Sequence, residues 1–154
     1  MADDGAGATA LKAENQALQE VLAAEHTAVW GYGVVGAALG SGAASAETAE
    51  AAHRDLRDQV AELLDSRKAD PVPAKAGYAL PFPILSAHDA ATLSVRLEEG
   101  VSRAWVRLLD QASEKTTRKL ALDALGAAEL RAVTWRTTAG QTPVTSAFPG
   151  LPAT

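Results

Sequence analysis

Apolar positions recur along this chain at steps of three and four residues in four separate runs. The first run joins Leu11, Leu18, Leu22, Glu25, Val29, Tyr32, Gly36 and Leu39 into one stripe. It predicts a helix over about residues 9–39, capped by Thr9 and ended by Gly40-Ser41-Gly42. Gly31, Gly33 and Gly36 lie inside it, each costing about 1 kcal/mol relative to alanine. That cost is tolerated more readily where another backbone or a bulky ring packs close. The second run is Ala46, Ala49/Glu50, His53, Leu56/Arg57, Val60 and Leu63/Leu64, starting after Ser45 with Glu47 and Glu50 in turns where the helix dipole favours carboxylates. So short a link makes the first two helices antiparallel neighbours.

The third helix opens at Ser86-Ala87-His88-Asp89, close to a capping box, and passes Leu93, Leu97, Val101, Ala104 and Leu108. The fourth covers about residues 114–138, with Ala121, Ala124, Leu125, Ala128, Ala132 and Trp135 on one face and Gly140 as its C-cap. Between the two helix pairs, residues 68–85 carry Pro71, Pro73, Pro81 and Pro83, which exclude helix and favour extended backbone. Eighteen extended residues reach up to about 60 Å, more than the roughly 36 Å of a 24-residue helix. The link can therefore travel the length of a bundle. In it Tyr78, Leu80, Phe82 and Ile84 alternate with Ala79, Pro81 and Pro83, so Leu80 and Phe82 are expected to pack on the helices.

These elements predict an all-α fold: a ferritin-like four-helix bundle with one long proline-rich crossover between helices 2 and 3. One domain is expected over residues 1–154, with a disordered N-terminus at 1–8 and an irregular C-terminal tail at 141–154. Composition agrees, since 35 residues are alanine against two Phe and two Tyr, and alanine favours helix over strand. The absence of cysteine removes disulfides, thiolate metal sites and cysteine nucleophiles. A net charge of −5 argues against nucleic acid as a partner. The acidic start is unlike a secretory signal, and the apolar part of the uncharged stretch 27–46 is too short to span a bilayer. A cytoplasmic protein with no membrane partner is the expectation. Any apolar face left over on the alanine-rich helices favours a homodimer.

Candidate chemistry sits on two of the stripes. Glu25 lies mid-stripe in helix 1, and Glu50-Ala-Ala-His53 is a Glu-x-x-His pair in helix 2, whose members share a helix face. Glu98 lies nearer the apolar face of helix 3 than Glu99. An unpaired carboxylate among apolar residues costs several kcal/mol, so these groups need either a metal or each other. The candidate metal ligands are Glu25, Glu50, His53 and Glu98, for an Fe, Mn or Zn ion. Helix 4 breaks the pattern, because Glu129-Leu-Arg-Ala132 has alanine where a second histidine belongs. One ion or a weakly held pair is expected rather than a tight dinuclear centre. Without metal, either Glu25 or Glu50 should be protonated or paired with His53. His26 is expected at the periphery, Arg54–Asp58 as a solvated pair, and Trp30, Trp105 and Trp135 as core fillers. No residue is assigned a catalytic role, and a metal-free bundle binding a copy of itself or a protein partner is the alternative.

The runs Ala24-Glu-His-Thr-Ala-Val-Trp-Gly-Tyr-Gly33, His53-Arg-Asp-Leu-Arg-Asp58, Ala76-Gly-Tyr-Ala-Leu-Pro-Phe-Pro83 and Phe148-Pro-Gly-Leu-Pro152 resemble the actinobacterial ferritin-like domain family of unknown function. The resemblance covers nearly the whole chain. It implies the four-helix ferritin-like fold and no particular activity. From classical di-iron proteins it carries over only Glu25, Glu50, His53 and Glu98, and the alanine at 132 counts against ferroxidase or oxygenase chemistry.

Overall fold

The computed structural model describes residues 3–152 and contains four helices: α1 (Asp3–Leu39), α2 (Ala44–Ser66), α3 (Ala87–Gln111) and α4 (Lys115–Thr138). A single 3₁₀ turn, Gly40–Gly42, joins the first pair, and no strand occurs among the described residues. The close helix pairs are α1–α2, α1–α3 and α3–α4.

Side-chain partners give the directions. Along α1, Glu14 meets Arg67 of α2 and Ser113 at the end of α3, whereas Glu25 meets His53 and Trp105. Both α2 and α3 therefore run antiparallel to α1, and α4 returns parallel to it. Two parallel neighbours in sequence need a link that climbs the whole bundle. The crossover does so along α1: Gln19 bonds to Asp70 and Val72, His26 to Val72, and Trp30 packs on Tyr78.

The N-terminal expectation is corrected. The helix runs through residues 3–8 rather than starting at Thr9, whose hydroxyl donates to the Gly5 carbonyl at 2.9 Å instead of capping. Ala6, Ala8 and Ala10 extend an existing helix at little cost, since propagation is easier than nucleation. Residues 1–2 of that stretch, and 153–154 of the tail, lie outside the described residues. The third helix opens as expected, with Ser86 Oγ accepting from Asp89 N at 3.1 Å and Asp89 accepting from Leu85 N at 3.0 Å. Gly140, at φ 64°, closes α4, with Gln141 N donating to Arg136 O at 2.9 Å.

Two apolar clusters fill the bundle. The lower one holds Leu18, Leu22, Val60, Leu64, Trp105 and Leu108, and the upper one Tyr32, Val35, Leu93, Leu97 and Trp135. Phe82 and Ile84 of the crossover pack on the upper cluster. Leu80 departs from expectation: it stays 38% exposed at the edge of a groove. Of Gly31, Gly33 and Gly36 only Gly31 has a close neighbour, since a Cβ there would fall 2.6 Å from Leu97 Cδ2.

Candidate functional site

A polar layer separates the two clusters at mid-bundle. Six side chains from all four helices converge there: Glu25 and Tyr32 of α1, His53 of α2, Glu98 and Trp105 of α3, and Arg131 of α4. His53 of α2 and Glu25 of α1 and Glu98 of α3 are all fully buried. His53 Nδ1 donates to Glu25 Oε2 at 2.6 Å, and His53 Nε2 donates to Glu98 Oε1 at 3.1 Å. Trp105 Nε1 donates to the other oxygen of Glu25 at 2.8 Å. Glu98 Oε1 also accepts from Tyr32 OH at 2.5 Å and from Arg131 Nε at 2.9 Å. The Tyr32 ring stacks on His53, with centroids 5.4 Å apart.

Both imidazole nitrogens face carboxyl oxygens, an arrangement that an imidazolium, with hydrogen on both nitrogens, satisfies. Burial opposes that charge, but hydrogen bonds and attraction from Glu25 and Glu98 outweigh it and raise the His53 pKa to about 9. Burial likewise opposes the Glu98 charge, and His53 and Arg131 overcome it, holding its carboxyl below the ordinary range. Burial, reinforced by the Glu98 charge, pushes the Tyr32 hydroxyl far up, so it acts only as a donor. Two carboxylates, one imidazolium and one guanidinium sum to zero.

Three of the four expected ligands therefore meet and Glu50 does not. The α2 stripe takes Ala49, not Glu50, as its buried position, and Glu50 turns outward to Arg54 Nη2 at 2.5 Å. That pair also replaces the expected Arg54–Asp58 bond, and Asp58 pairs with Arg57. Glu129 stays off the layer, accepting from Ser102 Oγ at 2.7 Å. His26 is peripheral as expected, bonding to the Val72 carbonyl at 3.0 Å.

As hydrogen-bonded here, the layer offers a transition metal no free ring nitrogen. Both His53 nitrogens are engaged and Glu98 Oε1 is shared by Tyr32, His53 and Arg131, so a transition metal would have to displace a ring proton to gain a nitrogen ligand. Among the described residues no group of three His, Asp or Glu side chains is arranged to hold a metal ion. Glu98 Oε2 and Arg131 Nη2 are buried and make no hydrogen bond within the described chain.

Two functional groups escaped the sequence reading. Arg131 lies one residue before the anomalous Ala132, and two buried carboxylates facing one histidine already require a second cation. Trp105, read as a core filler, is also a hydrogen-bond donor. A third buried acid, Glu14, sits on the α1 stripe four residues before Leu18, within the seven-residue step from Leu11. It accepts from Ser113 N, Glu114 N and Arg67 Nη2 at 2.6, 3.0 and 2.7 Å, so α1 caps the start of α4.

A family model described as "Domain of unknown function (DUF4439)" matches residues 17–153. The crystal structure of a conserved hypothetical protein from Mycobacterium tuberculosis, rv2844, is similar at 36% sequence identity and a TM-score of 0.81, covering 91% of this chain and 99% of that one. No curated protein matches the chain. No described helix is long and apolar enough to cross a membrane. With the model spanning nearly all of its four helices and the crossover between them, the chain belongs to this family of unknown function, DUF4439.

Proposed function

We propose that this protein is a metal-free, non-catalytic variant of the ferritin-like bundle that works as a binding module. One observation carries the reading: His53 donates from both ring nitrogens to carboxylates while Arg131 takes the remaining charge of Glu98. A layer neutralised in this way engages both His53 nitrogens and Glu98 Oε1, and leaves Glu98 Oε2 as a buried oxygen without a partner among the described residues. Its remaining role is to fix the register of four alanine-rich helices, because the donors and acceptors pair in one arrangement only.

The competing reading is a metal protein using Glu25, Glu50, His53 and Glu98 for Fe, Mn or Zn. Elemental analysis of protein purified without chelator or metal-affinity tag separates the two. Well below one Fe, Mn or Zn per chain is the expected result. A stoichiometric ion that disappears in His53→Ala overturns the reading.

Self-association is a second reading, favoured by the outer face of α4. Leu122 and Leu130, two turns apart, are 61% and 73% exposed. Light scattering on the wild type and on Leu122→Lys/Leu130→Lys decides it: a dimer that the double variant breaks supports this face, and a wild-type monomer rejects it.

A further inference from the structure

The crossover residues Tyr78–Pro81 roof a groove between α1 and α3 with a volume of about 340 Å³. That size falls in the roughly 300–1,000 Å³ range of small-molecule sites. Trp30, Leu80, Leu93 and Leu97 make its walls apolar. The roof is held in place, with the Tyr78 ring 5.7 Å from that of Trp30.

Arg96, Gly100 and Arg103 all line the groove, at steps of four and three residues that place them on one face of α3. A glycine in a helix interior is destabilising, and in α1 a close neighbour, Leu97, accounts for Gly31. Gly100 has none: an added Cβ would meet no atom within 4 Å. What the missing side chain leaves open is the groove itself. On either side of that gap stand two guanidiniums. Arg103 makes no ion pair or hydrogen bond among the described residues, and Arg96 only a loose one, 3.6 Å from Glu99. Glu99 does not line the groove and is shared with Arg136 at 3.4 Å, so the two guanidiniums leave the mouth positively charged.

We propose that this groove binds a small amphiphile with an apolar body and a carboxylate head, the body lying over Gly100 and the head on Arg96 and Arg103. An apolar cavity selects the body, and planar guanidinium forks suit a carboxylate. The positive mouth, with no carboxylate among the groove's lining residues, matches an anionic head. The proposal rests on reading the bundle as a binding module and names the ligand class of that module.

Decanoate is the probe, followed by isothermal titration calorimetry on the full chain, with decanol as the control lacking the charge. Saturable one-to-one binding of decanoate is expected, weakened at least ten-fold in Arg96→Ala/Arg103→Ala and at least ten-fold for decanol. Gly100→Leu should abolish binding while holding or raising the melting temperature, since leucine is the better helix former. This variant separates a filled groove from a lost fold. Absence of saturable decanoate binding to the wild type overturns the proposal. So does decanol binding as tightly as decanoate, or Gly100→Leu binding as well as the wild type. Any of these failures in metal-free protein leaves the metal-free reading standing, whereas a stoichiometric metal ion rejects that reading and leaves the groove result as it is.

Discussion

Arg131 reaches from α4 to place its Nε 2.9 Å from Glu98 Oε1 on α3, so a guanidinium supplies the charge that balances the mid-bundle layer. The side chain of Arg131 is 20% exposed and that of Glu98 is fully buried. Removing the cation strands a carboxylate in the core, which costs about 3–5 kcal/mol for a broken buried pair. Arg131→Ala should therefore destabilise strongly in urea unfolding at pH 7. Arg131→Ala/Glu98→Gln should regain much of the loss, because no unpaired charge remains. Equal destabilisation in the single and double variants would show that Arg131 acts through packing alone.

The His53 imidazolium gives a pH signature. Its pKa is raised from 6.5 to about 9, so its contribution is fully present below pH 6.5 and is lost as pH rises through 9. At one pKa unit per 1.36 kcal/mol, that contribution reaches about 3 kcal/mol. Melting temperature should thus fall between pH 7 and 10, and the fall should flatten in His53→Gln. Long-range nitrogen–proton NMR at pH 7 should show both ring nitrogens protonated. A neutral ring at that pH rejects the ion-pair layer.

The fold was legible because its signals are local. The proline spacing of 71, 73, 81 and 83 excludes a helical link, and Ser86 with Asp89 forms the cap it promised. The site was legible only where the stripe was unambiguous. Glu25 and His53 lie on their stripes and Glu98 lies nearer the apolar face of α3 than Glu99, but Ala49/Glu50 is a choice between adjacent positions, and the smaller residue takes the buried one. Arg131 was not legible from periodicity, because its flexible side chain reaches the layer from the flank of α4. Leu80 and Phe82 alternate identically in the sequence, yet only the roof's placement over the α1–α3 groove decides which is covered.

That difference between Leu80 and Phe82 is measurable. Phe82 packs on the upper cluster, and burying such a ring is worth about 1.5–3 kcal/mol. Phe82→Ser should lower the melting temperature by roughly 4–10 °C in a chain of this size. Leu80→Ser, at a residue already 38% exposed, should shift it by much less. Scanning calorimetry of both variants checks the order, and a larger loss at Leu80 would contradict the packing described.

Glu14 makes the last prediction, and it concerns the lower end of the bundle. Burial opposes its charge, but hydrogen bonds from Thr117, Arg67, Ser113 and Glu114 overcome that and lower its pKa from 4.5 to about 2. A depressed carboxyl stabilises above its unfolded value, so this contribution is intact above pH 4.5 and is lost as pH falls through 2. Its size is about 3 kcal/mol. Glu14→Gln keeps an acceptor for the Ser113 and Glu114 amides but discards the charge facing Arg67, whose side chain is only 9% exposed. The variant should therefore be less stable than the wild type at pH 7, with the gap closing toward pH 2 as the wild-type carboxyl protonates. Because Glu14 joins α1 to the start of α4, hydrogen exchange should quicken first at residues 113–118, while the His53 layer keeps its protection. Urea unfolding across pH 2–7 tests the convergence. Parallel curves for wild type and Glu14→Gln over that range would show that the charge contributes nothing, and that Glu14 serves only as a neutral cap.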